Sequence, residues 1–214
     1  MRTFVVGLCF VASGCAHADE PAPAAAPVRA EAVADCSYDF SEMMRLDFEA
    51  FDQDLEGGWR ILGSTPGCEA ETADLIHKFR TMKVDGQRLS LMHHEMQLRG
   101  AAGQYGAAAD LARDVLGFAL SPEMQAYHEA ELAFFARDYD GLLAARSRLA
   151  ALPAPEGFKK GVEHFLANYP DQPPPVWPVN LDVVEGLIAC FEKPYSEAYS
   201  FACRPDPQAE TAAP

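Results

Sequence analysis

The sequence has few signals of β-structure and no long hydrophobic run. No segment alternates strictly between apolar and polar residues, and no Asn-Gly or Asp-Gly joins two apolar runs. After the N-terminal region, no stretch reaches the roughly 20 apolar residues that cross a bilayer. Clusters of lysine and arginine are missing, and 32 acidic residues face 17 basic ones. The sequence therefore predicts an all-α protein without an integral membrane span. Nucleic acid is not expected as a partner, because a negative surface repels phosphate.

Catalytic signatures are also missing. The chain has no Gly-x-Ser-x-Gly nucleophile turn and no His-Glu-x-x-His metal motif. His94 and His128 could hold a metal ion with Glu95 and Glu129, but the likeness of the two segments is better explained by shared packing. We therefore expect no enzyme activity, no cofactor and no metal site.

One acidic segment raises the question of a calcium-binding site. Asp52, Asp54 and Glu56 are spaced like the first half of a calcium-binding loop. The twelfth position of such a loop needs a bidentate glutamate, and Gly63 stands there. An acidic helix end before the Gly57-Gly58 break is the better interpretation. The preceding helix should begin after Ser41 as its N-cap.

The N-terminus is typical of an exported protein. Arg2 precedes an uncharged stretch over 4–13, and small residues at positions 16 and 18 favour signal cleavage before Asp19. Alternatively, residues 11–15 resemble a lipobox in which Cys15 would carry a lipid anchor. The sequence thus predicts a signal peptide (1–18), an Ala/Pro-rich disordered linker (19–35), a helical domain (36–204) and a disordered tail (205–214).

Four cysteines remain after the leader, and an even number in an exported chain favours disulfides. Closure of a local loop favours a bond between Cys36 and Cys68, which leaves Cys190 and Cys203 as the second pair. Three pairings are possible for four cysteines, and the sequence does not decide among them. Disulfides and the leader together predict a periplasmic or secreted protein, with an outer-membrane lipoprotein as the alternative.

An internal repeat is the most informative pattern. A shift of 34 residues aligns the segment 93–98 with the segment 127–132, and it places Tyr105 on Tyr139. A partial third copy follows at 193–198, around Tyr195. The segment 103–108, Gly-Gln-Tyr-Gly-Ala-Ala, resembles the turn of the tetratricopeptide repeat family, although Arg137 replaces the turn glycine in the second copy.

The resemblance implies an α-α superhelix of stacked antiparallel helical hairpins. In that family the first helices line a concave groove for a protein or peptide partner. Carried over by position, the implied groove residues are His93, Gln97, Tyr127, Glu131, Asn180 and Val183. The expected function is a non-catalytic binding or scaffold module of the bacterial cell envelope. A lipid-anchored assembly protein, or an accessory subunit or enzyme with a site that the sequence does not reveal, are the alternatives.

Overall fold

A computed structural model describes residues 34–83, 88–170, 172 and 174–205. The predicted leader, all but the end of the predicted linker and all but the first residue of the predicted tail lie outside this part of the chain. Each regular element within these residues is helical, and none is a strand. The all-α fold class is therefore confirmed. No helix of this part is both long enough and apolar enough to cross a bilayer.

Ten α-helices and one π-helical turn follow each other along the described chain. The π-helical turn is Glu49–Gln53, between the first and second helices. The helices are α1 Phe40–Met43, α2 Trp59–Gly63, α3 Glu69–Met82, α4 Arg88–Ala101, α5 Tyr105–Leu116, α6 Pro122–Phe135, α7 Tyr139–Ala150, α8 Glu156–Asn168, α9 Leu181–Ala189 and α10 Tyr195–Ala198.

The 34-residue repeat corresponds to two equivalent hairpins, α4–α5 and α6–α7. Their first helices begin at Arg88 and Pro122 and their second helices at Tyr105 and Tyr139, so both starts differ by 34 positions. The turn residues also agree, because Gly103 and Arg137 both have a left-handed backbone, with φ of 74° and 58°. Glycine adopts this conformation freely, whereas arginine adopts it at a cost.

Arg137 makes contacts that offset this cost. Its guanidinium lies 4.1 Å from the centre of the Phe191 ring. It also donates to the Phe191 carbonyl and pairs with Glu192 at 3.2 Å. The second turn is thus fastened to the segment that follows α9.

The tyrosines that begin the second helices occupy related surroundings. The ring of Tyr105 lies 6.1 Å from that of Phe135, and the ring of Tyr139 lies 5.0 Å from that of Phe191. Phe135 precedes Tyr139 by four residues, as Phe191 precedes Tyr195. Each tyrosine therefore contacts the aromatic residue at or just after the end of the next first helix. A third unit, formed by α9 and α10, continues the packing of the first two hairpins.

The helices from α3 to α7 pack mainly on their neighbours in the chain, and α9 packs on α7 and α6. The short α10 then returns to α4. Gly100 allows this approach, because a Cβ there would lie 2.6 Å from Phe135 and 2.9 Å from Tyr195. By contrast, α8 contributes no buried residue.

The N-terminal helix differs from the sequence-based prediction. Asp39, and not Ser41, caps α1, and its carboxylate accepts from the Glu42 amide at 2.9 Å. The helix ends at Met43, and the chain resumes as the π-helical turn that buries Phe51. The prediction of a single helix from Ser41 to the Gly57-Gly58 break is therefore wrong. The Asp39 cap starts α1 two residues earlier than a Ser41 cap would. Phe51 is buried from the separate π-helical turn and not from a continuous helix.

Two disulfides close the ends of the described chain. Cys36 is bonded to Cys68, and Cys190 is bonded to Cys203, across 32 and 13 positions of sequence. This is the pairing that local loop closure favours. Such bonds persist in oxidising compartments, so they fit a protein that works outside the cytoplasm.

Candidate functional site

A buried polar cluster lies between α4 and α6. His128 and Glu131 are one helical turn apart on α6 and share a face, and His93 reaches them from α4. His128 Nδ1 lies 3.1 Å from Glu131 Oε2, and His93 Nδ1 lies 3.9 Å from the same oxygen. One ligand atom from each of the three side chains fits within 4.8 Å of the others.

The two oxygens of Glu131 have different surroundings. Oε1 accepts hydrogen bonds from the Tyr195 hydroxyl at 2.7 Å, the Tyr127 hydroxyl at 3.1 Å and the Gln97 amide at 3.2 Å. The Gln97 amide also lies 3.1 Å from the Tyr199 hydroxyl. Three donors thus hold Oε1, while Oε2 faces the two imidazoles.

His93 has an unsatisfied nitrogen in this cluster. Its Nδ1 is buried, and among the described residues it has no hydrogen-bond partner. Its distance of 3.9 Å from Glu131 is too long for a hydrogen bond. A buried polar atom without a partner costs about 1–3 kcal/mol, so this nitrogen is a candidate to bind a ligand or a cation.

The electrostatics of the cluster favour a neutral His93 beside a charged Glu131. Burial lowers the pKa of His93 to about 4, partly opposed by the Glu131 charge and helped by His128 and His94. Burial by itself would raise the pKa of Glu131, but the His128 hydrogen bond and the electrostatic influence of the two imidazoles hold it below its usual value.

The tyrosines remain protonated around this carboxylate. Burial, reinforced by the charge of Glu131, raises the pKa of Tyr127 and Tyr195 well above the usual value. Both hydroxyls therefore act as donors and not as acids or bases at neutral pH.

A second buried carboxylate, Asp52, lies beside the first cluster. Its Oδ1 is 2.7 Å from His94 Nδ1 and accepts from the Trp59 indole at 2.9 Å. Its Oδ2 accepts from Gln53 at 2.6 Å and from Ser90 at 3.2 Å. Burial opposes ionisation, yet the His94 contact and these donors lower the pKa of Asp52. This residue belongs to the acidic segment in which a calcium loop was considered.

The structure pairs the histidines differently from the arrangement considered in the sequence. Equivalent positions of successive repeats point in the same direction, so His94 and His128 do not face each other. His94 contacts the preceding segment through Asp52, and His128 contacts the first helix of the preceding hairpin, α4, through His93, at 4.9 Å between ring centres. The neighbour of His94 in the sequence, His93, is the residue that completes the cluster.

The predicted groove residues fall into two groups. His93, Gln97, Tyr127 and Glu131 converge, but α10 covers this face, because Tyr195 and Tyr199 fill the space beside Gln97. Glu131 and Tyr127 are fully buried. The two others lie at the start of α9, where Asn180 has a left-handed φ of 63° and Val183 is part of the main hydrophobic core. Their part in binding a partner stays a prediction.

Sequence reasoning did not identify Asp52, Trp59, Tyr195 and Tyr199 as members of this polar region. A signal existed for His128 and Glu131, because spacing of three places both on one face of a helix. No local pattern indicates that α10 returns to α4, since Gln97 and Tyr199 are 102 positions apart.

A separate surface hollow lies between α7 and α9. One part, of about 530 Å³, is lined by Tyr139, Ile188 and Phe191. An adjoining part, of about 500 Å³, is lined by Leu143 and also by Arg146 and Glu185. Tyr139 and Leu143 are 43% and 38% exposed, so this apolar surface is open to solvent.

The chain thus combines repeated hairpins with a largely buried polar cluster and an open apolar hollow. Comparison with protein-family models, with curated proteins and with solved structures gives no match.

Proposed function

We propose that this chain is a non-catalytic scaffold that binds a protein or peptide in the bacterial cell envelope, built as a tetratricopeptide-like superhelix. The observation that carries the proposal is the pair of equivalent hairpins, α4–α5 and α6–α7, with an open apolar hollow where α7 meets α9. Stacked hairpins need neighbours to bury their apolar faces, and an apolar face that stays exposed in such a stack suits a partner segment.

The hollow supports a different binding surface from the one that the resemblance implies. The predicted groove face is occupied by Tyr195 and Tyr199, so a partner would have to displace α10 to reach Tyr127 or Glu131. The hollow needs no such displacement. A short apolar segment can place its side chains against Leu143 and Ile188, while Arg146 and Glu185 offer polar contacts at the rim.

The two disulfides support a location outside the cytoplasm. A periplasmic scaffold follows from this location and from the leader that the sequence predicts. Lipidation at Cys15 is the alternative, in which the same scaffold is held at a membrane. The mass of the mature N-terminus distinguishes the two, because a chain that begins at Asp19 lacks Cys15.

Site-specific photo-crosslinking in cells of the source organism tests the proposal. A photoreactive residue at Leu143 should give a discrete adduct with a second protein, because this side chain lines the hollow. The same residue at Asp110 is the control, since that side chain is 79% exposed on α5, away from the hollow.

The crosslinking result has a clear reverse. If Leu143 gives no adduct, or if Asp110 gives the same adducts as Leu143, the hollow does not hold a partner. In the expected case, the exposed substitution Leu143→Asp reduces recovery of that partner at least tenfold, which corresponds to about 1.4 kcal/mol of binding free energy.

A further inference from the structure

We propose that His93, His128 and Glu131 form a binding site for a late first-row divalent metal ion such as Zn²⁺. The ligands would be one imidazole nitrogen from each histidine and one oxygen of Glu131, and such a set of three atoms lies within 4.8 Å. Two imidazoles and one carboxylate are a frequent ligand set for zinc, with bonds of about 2.0–2.2 Å. This site is independent of the apolar hollow and of the scaffold role.

The distances require only a small adjustment. Bonds of this length place ligand atoms about 3.3 Å apart in a tetrahedral site. His128 Nδ1 already lies 3.1 Å from Oε2, and His93 Nδ1 lies 3.9 Å from it. A movement of His93 Nδ1 toward Oε2 by less than about 1 Å therefore brings this pair of atoms to the same spacing.

The unpartnered Nδ1 of His93 points to a ligand. This atom is buried and has no hydrogen-bond partner among the described residues. Binding to a cation would satisfy it, as native proteins usually satisfy buried polar atoms.

The surroundings of Glu131 resemble an outer ligand shell. Donors from Tyr195, Tyr127 and Gln97 occupy Oε1, which fixes the carboxylate and leaves Oε2 for the metal. Outer donors of this kind orient metal ligands and tune their affinity. In addition, no lysine or arginine side chain that the structure describes forms an ion pair with Glu131. A divalent cation would supply the missing positive charge.

The geometry also indicates the class of metal and a fourth ligand. Imidazole nitrogens favour zinc, copper, nickel and cobalt over magnesium and calcium, which prefer all-oxygen sites. The His93 side chain is 20% exposed, although its Nδ1 atom is buried. The three side chains leave the fourth position of a tetrahedral zinc site to a water molecule.

Calorimetric titration of the full, disulfide-bonded chain without an affinity tag tests the site. After chelator treatment, ZnCl₂ should bind one ion per chain, and MgCl₂ should not bind at the same concentrations. Co²⁺ should produce visible absorption bands typical of four-coordination. Glu131→Gln should weaken Zn²⁺ binding at least about 100-fold, because Glu131 would bind the metal directly. Tyr195→Phe should weaken it about 10-fold, because Tyr195 only orients Glu131.

Two further variants make the test decisive. Glu129→Gln is the matched control on the same helix, because that carboxylate binds Arg148 at the surface and should leave Zn²⁺ affinity unchanged. His93→Gln serves if Glu131→Gln does not fold, since His93 Nδ1 has no hydrogen bond to lose among the described residues. The proposal is overturned if the native chain does not bind Zn²⁺, or if His93→Gln binds it as tightly as Glu129→Gln.

Discussion

Glu95 on α4 and Glu131 on α6 are both buried carboxylates, but they are neutralised in different ways. Glu95 lies 2.5 Å from Arg80 and 2.9 Å from Arg99, and His77 is 3.2 Å away. Glu131 has only hydroxyl and amide donors on one oxygen and two imidazoles at the other. Arginine is permanently charged, whereas imidazole is charged only when protonated.

Because of this difference, Glu95 is a structural carboxylate, whereas the charge of Glu131 is still available to a bound cation. The arginines satisfy Glu95 completely and connect α3 to α4, because Arg80 belongs to α3 and Arg99 to α4. Around Glu131, the neutral donors stabilise the carboxylate without cancelling its charge. We infer that the Glu95 cluster contributes to stability, and that the Glu131 cluster is arranged for a cation.

The largest expected effect concerns the Glu95 cluster. Glu95→Ala leaves the largely buried Arg80 without its carboxylate, whereas Arg99 keeps Asp74 at 3.1 Å, and breaking a buried pair in this way costs about 3–5 kcal/mol. The free energy of unfolding, measured by urea denaturation followed by circular dichroism, should fall by this amount.

Glu129 provides the matched control, because it occupies the equivalent position 34 residues later. Its partner Arg148 is 54% exposed, and an exposed pair contributes at most about 1 kcal/mol. Glu129→Ala should therefore change stability little. If both variants lose the same free energy of unfolding, burial does not make the Glu95 ion pairs more stabilising than the exposed Glu129 pair.

The second prediction concerns the response of the Glu131 side to acid. In chelator-treated protein His93 titrates with a pKa of about 4 in the folded state, against its ordinary value of 6.5. The unfolded chain therefore binds more protons in this range. The stability that depends on a neutral His93 is fully present above pH 6.5 and is lost as the pH falls through 4. A shift of this size corresponds to up to about 3 kcal/mol of unfolding free energy.

Urea denaturation between pH 7.5 and pH 4 measures this slope. Glu131 and His128 face His93 from α6, and His94 and Asp52 lie on its other side. The lowered pKa values of Glu131 and Asp52 place their own losses mostly below this range. In His93→Gln the slope should become shallower. An unchanged slope in that variant would assign the acid response to a different group.

Comparison of the two clusters also shows what the sequence could predict. The all-α class and the 34-residue interval follow from local periodicity, so they are visible in a single chain. The spacing of His128 and Glu131 is equally local. Their neighbours are not, because contacts such as Gln97 with Tyr199 depend on how distant helices stack. A repeat pattern predicts which faces are equivalent, and it does not predict that α10 covers one of them.

The same limit explains the N-terminal region. The spacing of Asp52, Asp54 and Glu56 indicated only an acidic helix end. In the structure Asp52 is fully buried, because Trp59 and His94 both contact it. Asp52, Trp59 and His94 come from the π-helical turn, α2 and α4. Such a meeting is a property of tertiary packing. The start of the first helix was misplaced for a local reason, because an aspartate and a serine two residues apart are both good caps.

The smallest expected effect tests the α10 contact that distinguishes Glu131 from Glu95. A methyl group at Gly100 would lie 2.6 Å from Phe135 and 2.9 Å from Tyr195, whose hydroxyl donates to Glu131. Gly100→Ala should cost about 1–2 kcal/mol, because overpacking outweighs the gain in helix propensity. Thermal and urea denaturation measure this loss.

Gly106 is the control for this substitution, because it is also helical but a methyl group there would meet no described atom within 4 Å beyond its own helix backbone and chain neighbours. Gly106→Ala should stabilise the chain by up to about 1 kcal/mol, since alanine favours the helix without a clash. If both alanines stabilise, α10 does not pack tightly on α4. Glu131 Oε1 would then lose one of its three donors, Tyr195, and would keep Tyr127 and Gln97.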